Sequence, residues 1–163
     1  MGHSKGKKVV RRGVSRQKLL PLPASMVQTI SLQNHLALEA LCSQRGDSLH
    51  VTFLFRALYL AYILRDAGDL HCDMDTLRSA EVALYGWSRR AEEGGSWALV
   101  DPEIDALKIV LTVHDSQLQS IHVHRYETAC THLLNYLVKG GQQLILGSNG
   151  NVLVHEGGLS SGV

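Results

Sequence analysis

LHVTFLFRALYLAYILRDA, residues 49–67, decides how this chain folds. Phe53, Leu54, Ala57, Leu58, Leu60, Ala61 and Leu64 leave hardly any face of a helix polar, and a helix of that kind belongs at the centre of a bundle. The start, Val51-Thr52-Phe53, is β-prone. The length of the run exceeds that of an ordinary strand and favours helix. Arg56 interrupts the apolar stretch 51–64, so no run reaches the ~18 residues a membrane span requires.

The flanks supply the helices this central one must pack against. Upstream, the pattern predicts a helix over 31–43. Ser31 caps it, and Leu32, Leu36, Ala40 and Leu41 or Cys42 form its apolar stripe. Gly46-Asp47 closes the connection, and Asp47 or Ser48 caps the central helix. Downstream, Ala67-Gly68-Asp69 is a stop, and Asp73 or Asp75 caps a third helix reaching about Glu93. Leu77, Ala80, Leu84, Trp87 and Ala91 recur there at helical spacing, and Gly94-Gly95 ends it. Trp97 is expected to plug the edge of the core. Asp101-Pro102-Glu103 reads as N-cap, first helical position and acidic first turn of a fourth helix to about Ser120. Its inward positions are Ile104, Leu107, Val110 or Leu111, His114 and Leu118. A fifth helix is expected over 122–139, with Tyr126, Ala129, Leu133, Tyr136 and Leu137 inward and Gly140-Gly141 as its stop.

Beyond that stop, Leu144-Ile145-Leu146 and Val152-Leu153-Val154 flank Gly147-Ser148-Asn149-Gly150-Asn151, a hairpin signal. An isolated hairpin is marginal in water, so this one is expected to need a partner surface. The fold expected is therefore all-α, about five helices in an orthogonal or up-down bundle. Residues 1–24 form a basic flexible arm, 25–140 the helical domain and 141–163 a β-hairpin-like extension and tail.

Charge is unevenly distributed. Lys5, Lys7, Lys8, Arg11, Arg12, Arg16 and Lys18 are seven of the 16 basic residues, and the first acidic residue is Glu39. Residues 19–163 hold nine basic and all 15 acidic residues, a formal net of −6. A cationic arm on an anionic body points to a polyanion such as nucleic acid, anionic lipid or an acidic protein face. The arm has no aromatic side chain, so it can follow phosphates but has nothing to stack on bases. The segment LLPLPASMVQ after Lys18 is too broken by Pro21 and Pro23 for a leader's apolar core.

Little else carries chemistry. His114, His122, His124 and His132 cluster late in the chain, with Cys130 among them. However, no two histidines stand at i, i+4, and His124 and His132 are two turns apart, so no metal or cofactor is expected. Asp69, Asp73 and Asp75 beside His71-Cys72 read as caps. Cys42, Cys72 and Cys130 are too few and too widely spaced for a disulfide framework, which favours a reducing compartment, and each reads as packing rather than a reactive thiol. Arg56 and Arg65 read as snorkelling or ion-paired groups. No nucleophile elbow, phosphate loop or dinucleotide fingerprint occurs.

SLQNHLALEALCSQRGD (31–47) and LTVHDSQL (111–118) resemble uncharacterised small helical proteins of proteobacterial genomes and mobile elements. The resemblance spans about residues 25–139 and rests on helix starts and packing positions. It implies a helical body behind a basic start and carries no catalytic residues. The function expected is a non-enzymatic binding or accessory protein of the cytoplasm, acting as a nucleic-acid-associated regulator through its arm, with self-association or a protein partner and no membrane contact. The alternative is a protein–protein adaptor or an oligomeric structural component of a phage or plasmid system.

Overall fold

A computed structural model of the chain describes residues 19–94, 99–141 and 143–145. These residues form five helices: α1 (Ala24–Cys42), α2 (Ser48–Ile63), α3 (Met74–Glu92), α4 (Asp101–Ser120) and α5 (Val123–Val138). Among the described residues there is no strand, only a single antiparallel bridge between Pro21 and His122. The all-α expectation therefore stands. The cations Lys5 to Lys18, Trp97, Leu146 and residues 147–163 lie outside the described residues.

The central helix is where the sequence puts it, although it ends at Ile63 rather than Ala67, residues 64–66 forming a turn. α2 touches each of the other four helices, and Val51, Leu54, Ala57, Leu58, Tyr59, Leu60, Ala61 and Tyr62 are all buried. Asp47 is its cap: Asp47 Oδ1 accepts the backbone N–H groups of Leu49 at 2.9 Å and His50 at 3.1 Å, two donors the first turn would otherwise leave unpaired. These bonds, the His50 backbone N–H first, hold the Asp47 carboxyl below its ordinary pKa. Asp73 caps α3 in the same way, accepting from Thr76 N at 2.8 Å and Thr76 Oγ1 at 2.9 Å.

Three local expectations change. α1 starts at Ala24, not Ser31, because Pro23 supplies the first carbonyl, which accepts from Met26 N at 2.9 Å and Val27 N at 3.1 Å. Its buried face is Ile30, Asn34, Ala37, Leu38 and Leu41, whereas Leu32 and Leu36, the expected core stripe, are 61% and 57% exposed. The two added N-terminal turns bring Val27 and Ile30 into register with Leu38 and Leu41, and that longer stripe wins the core. In α4, Asp101 is the first helical residue rather than the cap. Val100 takes the cap position, and its N–H donates to Glu103 Oε2 at 3.0 Å.

α4 lies against α1, α2 and α3, while α5 packs among the helices on α2 alone. The two differ accordingly in what they bury: α4 buries Ala106, Leu107, Val110, Leu111, Val113, His114, Gln117 and Leu118, but α5 buries only Ala129 and Leu133. Tyr126, Tyr136 and Leu137, expected to point inward on α5, are half-buried or, for Leu137, exposed.

Candidate functional site

Two regions compete as functional sites, the root of the arm and a cleft beside α5. The arm's root is built from residues that sequence assigns to the arm itself. Leu22 N–H donates to Ile121 O at 3.1 Å, and Val123 N–H donates to Leu20 O at 2.9 Å. Leu22 is buried in the core. Residues 20–22 are therefore strapped across the α4–α5 junction.

The body's own cations are largely engaged. Arg78 pairs with Asp75 at 3.1 Å, Arg90 with Glu103 at 3.2 Å and Arg89 with Glu93 at 3.9 Å. Arg125, close to the root, pairs with Asp66. Arg65 lies over the Tyr62 ring at 4.9 Å and Arg56 over the Phe53 ring at 6.0 Å, so aromatic faces rather than carboxylates receive them. Exposed pairs of this kind add little to stability, and Arg45, Lys108 and Lys139 are exposed on the body outside these pairs.

The histidines diverge. His114 is fully buried in α4, whereas His122, His124 and His132 are exposed at the head and flank of α5. Among the described residues, no group of three or more His, Cys, Asp or Glu is placed to hold a metal ion. His114 belongs to a polar bracket. Gln117 Nε2 donates to Ala61 O at 3.0 Å and Leu64 O at 3.1 Å, the last turn of α2. Its Oε1 is therefore an acceptor, and His114 Nδ1, 3.3 Å away, must be the donor. His114 Nε2 is left as a buried lone pair with no partner. Burial drives the His114 pKa down to about 4, so the ring is neutral near pH 7.

The second region is a cleft of about 370 Å³ between α2, α3 and α5. Phe55, Tyr59 and Leu60 of α2 form its floor, Tyr85 of α3 one wall, and Cys130, Leu133, Leu134 and Leu137 of α5 the other. It exists because α5 leans on α2 without reaching α3. Tyr59 and Tyr85 meet through their hydroxyls at 3.4 Å, and Phe55 stacks edge-on against Tyr85 with centroids 4.9 Å apart. Tyr85 Oη accepts the Gln143 N–H at 2.9 Å, and the fully buried Glu81 accepts the Ile145 N–H at 3.2 Å. The chain leaving α5 is thus fastened back onto α3 beside the cleft, and Ile145 is fully buried there.

Tyr59, Tyr126 and Cys130, around the cleft, hold their protons. Tyr59 is raised far above the ordinary phenol value by burial first, then by the hydrogen bond with Tyr85 and by Glu81. Tyr126 is pushed up to about 12, mainly by burial. Burial raises the Cys130 thiol, opposed only in part by its hydrogen bond with Tyr126 and by the Arg56 charge. Cys42 and Cys72 are raised as well, by burial first. All three cysteines are half-buried and free. These groups do not supply a ready anion.

Sequence reasoning missed Tyr59, Tyr85 and Glu81 as one cluster. A signal was present, since Glu81 falls between Ala80 and Leu84 on the apolar face of α3, where a carboxylate has no place without partners. No family model matches the chain, and neither a curated protein nor a solved structure matches it. Among the described residues, no helix is long and apolar enough to cross a membrane.

Proposed function

We propose that this is a non-enzymatic binding protein of the cytoplasm, a helical body carrying a polycationic arm that contacts nucleic acid. The reading takes the body as an orthogonal or up-down bundle around α2, with residues 144–154 as a hairpin that needs a partner surface. The observation that carries it is the segregation of charge. Seven cations precede residue 19, the rest of the chain has a formal net of −6, and most body arginines are spent on carboxylates or rings. Nucleic acid approaching such a molecule is attracted by the arm and repelled by the body, so contact runs through phosphates and is insensitive to base sequence. The protonated state of Tyr59, Tyr126 and Cys130 supports binding over nucleophilic catalysis.

The test is a salt titration of duplex binding with the full chain and with a variant in which Lys5, Lys7, Lys8, Arg11, Arg12, Arg16 and Lys18 are all glutamine. The wild type should lose affinity with a log–log slope of about −0.9 per phosphate neutralised. The variant should lose binding and keep its melting temperature. Equal binding by both refutes the arm as the site.

A second reading, an oligomeric component or adaptor of a phage or plasmid system, is favoured by one observation. Leu32 and Leu36 stand one turn apart on the outer face of α1 and are each more than half exposed. A second copy of the chain is the partner this reading takes. Sedimentation of wild type against a Leu32→Ser/Leu36→Ser variant separates the cases, because a dimer through α1 dissociates in the variant.

A further inference from the structure

We infer that the cleft between α2, α3 and α5 is a binding site for a small amphipathic anion, an apolar chain ending in a carboxylate of the medium-chain fatty-acid class. This goes beyond the arm and does not depend on it.

The first ground is the cavity. At about 370 Å³ it falls at the lower end of the ~300–1,000 Å³ typical of small-molecule sites, and its lining is overwhelmingly apolar. It runs along α2 from Thr52 to Leu60, about 12 Å at 1.5 Å per residue, so it is elongated rather than round. Leu60, Leu133 and Leu137 give an acyl chain an apolar bed, and Phe55 and Tyr59 give it flat aromatic faces.

The second ground is charge. Arg56 lines this apolar cleft and is half-buried, yet no carboxylate lies within ion-pairing distance of it among the described residues. The Phe53 ring lies 6.0 Å from its guanidinium carbon, and the Arg56 charge is felt by Cys130, Tyr126 and His114. Arg56 differs from Arg78, Arg89, Arg90 and Arg125, which all have carboxylate partners at the surface. A half-buried guanidinium beside an apolar cleft and without a carboxylate partner is open to an anion, and a planar carboxylate matches its fork of donors. The neighbouring Cys130 and Tyr126 keep their protons and leave that anion site uncontested.

The third ground is selectivity for carboxylate over phosphate ester. Arg56 is the single cation in the lining, so a monoanion is matched and a dianion is not. The Tyr59–Tyr85 hydroxyl pair is already engaged with Gln143 and Glu81, so the tyrosine wall adds ring surface rather than a second anion contact.

The experiment is calorimetric titration of the full chain with monomeric decanoate and, in parallel, with decanol. The expected result is one saturable decanoate site. Arg56→Gln should weaken decanoate by about tenfold or more and leave decanol nearly unchanged. Leu134→Trp, a change at an exposed position on the rim, should abolish both by filling the mouth of the cleft. Absence of saturable decanoate binding to the full chain overturns the inference. If binding then emerges after Val152, Leu153 and Val154 are changed to serine, the occupant of the cleft is the chain's own C-terminal segment. An equal loss of decanoate and decanol in Arg56→Gln also overturns it, since that variant would then have damaged the fold rather than removed the anion contact.

Discussion

α4 and α5 are neighbours in sequence with similar apolar content, yet they meet α2 in opposite ways. α4 buries eight residues and adds a polar bracket, Gln117 holding Ala61 O and Leu64 O while His114 donates to Gln117. α5 buries two and leaves a cleft of about 370 Å³ along its length. A helix packed on three others has no room for a ligand, and one packed on a single helix has a flank to spare. The difference puts more buried surface on the α2–α4 seam and leaves the α2–α5 side as the flank proposed to bind.

Truncation is the strongest way to break that assignment. Leu58→Ala, in the fully buried centre of α2, should cost about 2–5 kcal/mol in denaturant unfolding. Leu133→Ala, which borders the cleft, should fall at or below the bottom of that range, because its cavity is already partly open. Equal costs would mean that α5 is as tightly seated as α4.

The polar bracket gives the next largest effect. Gln117→Leu leaves the Ala61 carbonyl and the His114 Nδ1–H without these partners, while Leu64 O keeps the Ala67 N–H at 2.7 Å, and about 3 kcal/mol should be lost. A loss under about 1 kcal/mol would show that the bracket contributes little to the seam.

Acid sharpens the same comparison. The folded His114 has its pKa depressed to about 4 from an ordinary 6.5, so between these values the unfolded chain binds a proton that the folded chain does not. Stability from this group is complete above about pH 6.5 and falls as pH drops toward 4. From pH 7 to 4.5 the loss should be about 2 kcal/mol. Asp47 and Asp73 have lowered pKa values from their cap bonds, so their contribution fails only at still lower pH. His114→Gln should flatten the profile between pH 4.5 and 7. An unchanged slope would place the titrating group elsewhere.

Two glycines supply the smallest test. Gly68 and Gly140 both have positive φ, +81° and +77°. A Cβ on Gly68 would press on Gln117 N and Ser116 Oγ at 3.1 Å, whereas a Cβ on Gly140, after α5, meets nothing within 4 Å. Gly140→Ala should cost about 1 kcal/mol of backbone strain, and Gly68→Ala visibly more in the same melting assay.

Much of this was legible in the chain itself. The all-round apolar run 49–67 announced a central helix, because burial on every side is a property of composition. Asp47, Asp73 and the stop at Gly94 marked helix ends, because a cap bond spans two or three residues and needs no distant partner. Much of the inward face of α4 was readable, because Leu107, Val110, Leu111, His114 and Leu118 recur at helical spacing.

The face of α1 was not. Leucines stand on two of its sides, and only contact with α2 and α4 chose Leu38 and Leu41 over Leu32 and Leu36. The cluster of Tyr59, Glu81 and Tyr85 was equally hidden, since it joins α2 to α3 and then to the chain after α5. The sequence by itself determined that there are helices here, which one is central and where several of them are capped, because those depend on hydrogen bonds and burial within a few turns. Only the tertiary structure decided which faces meet, that Arg56 has no carboxylate partner among the described residues, and that a cleft opens beside it. Those follow from how helices distant in sequence share a limited surface.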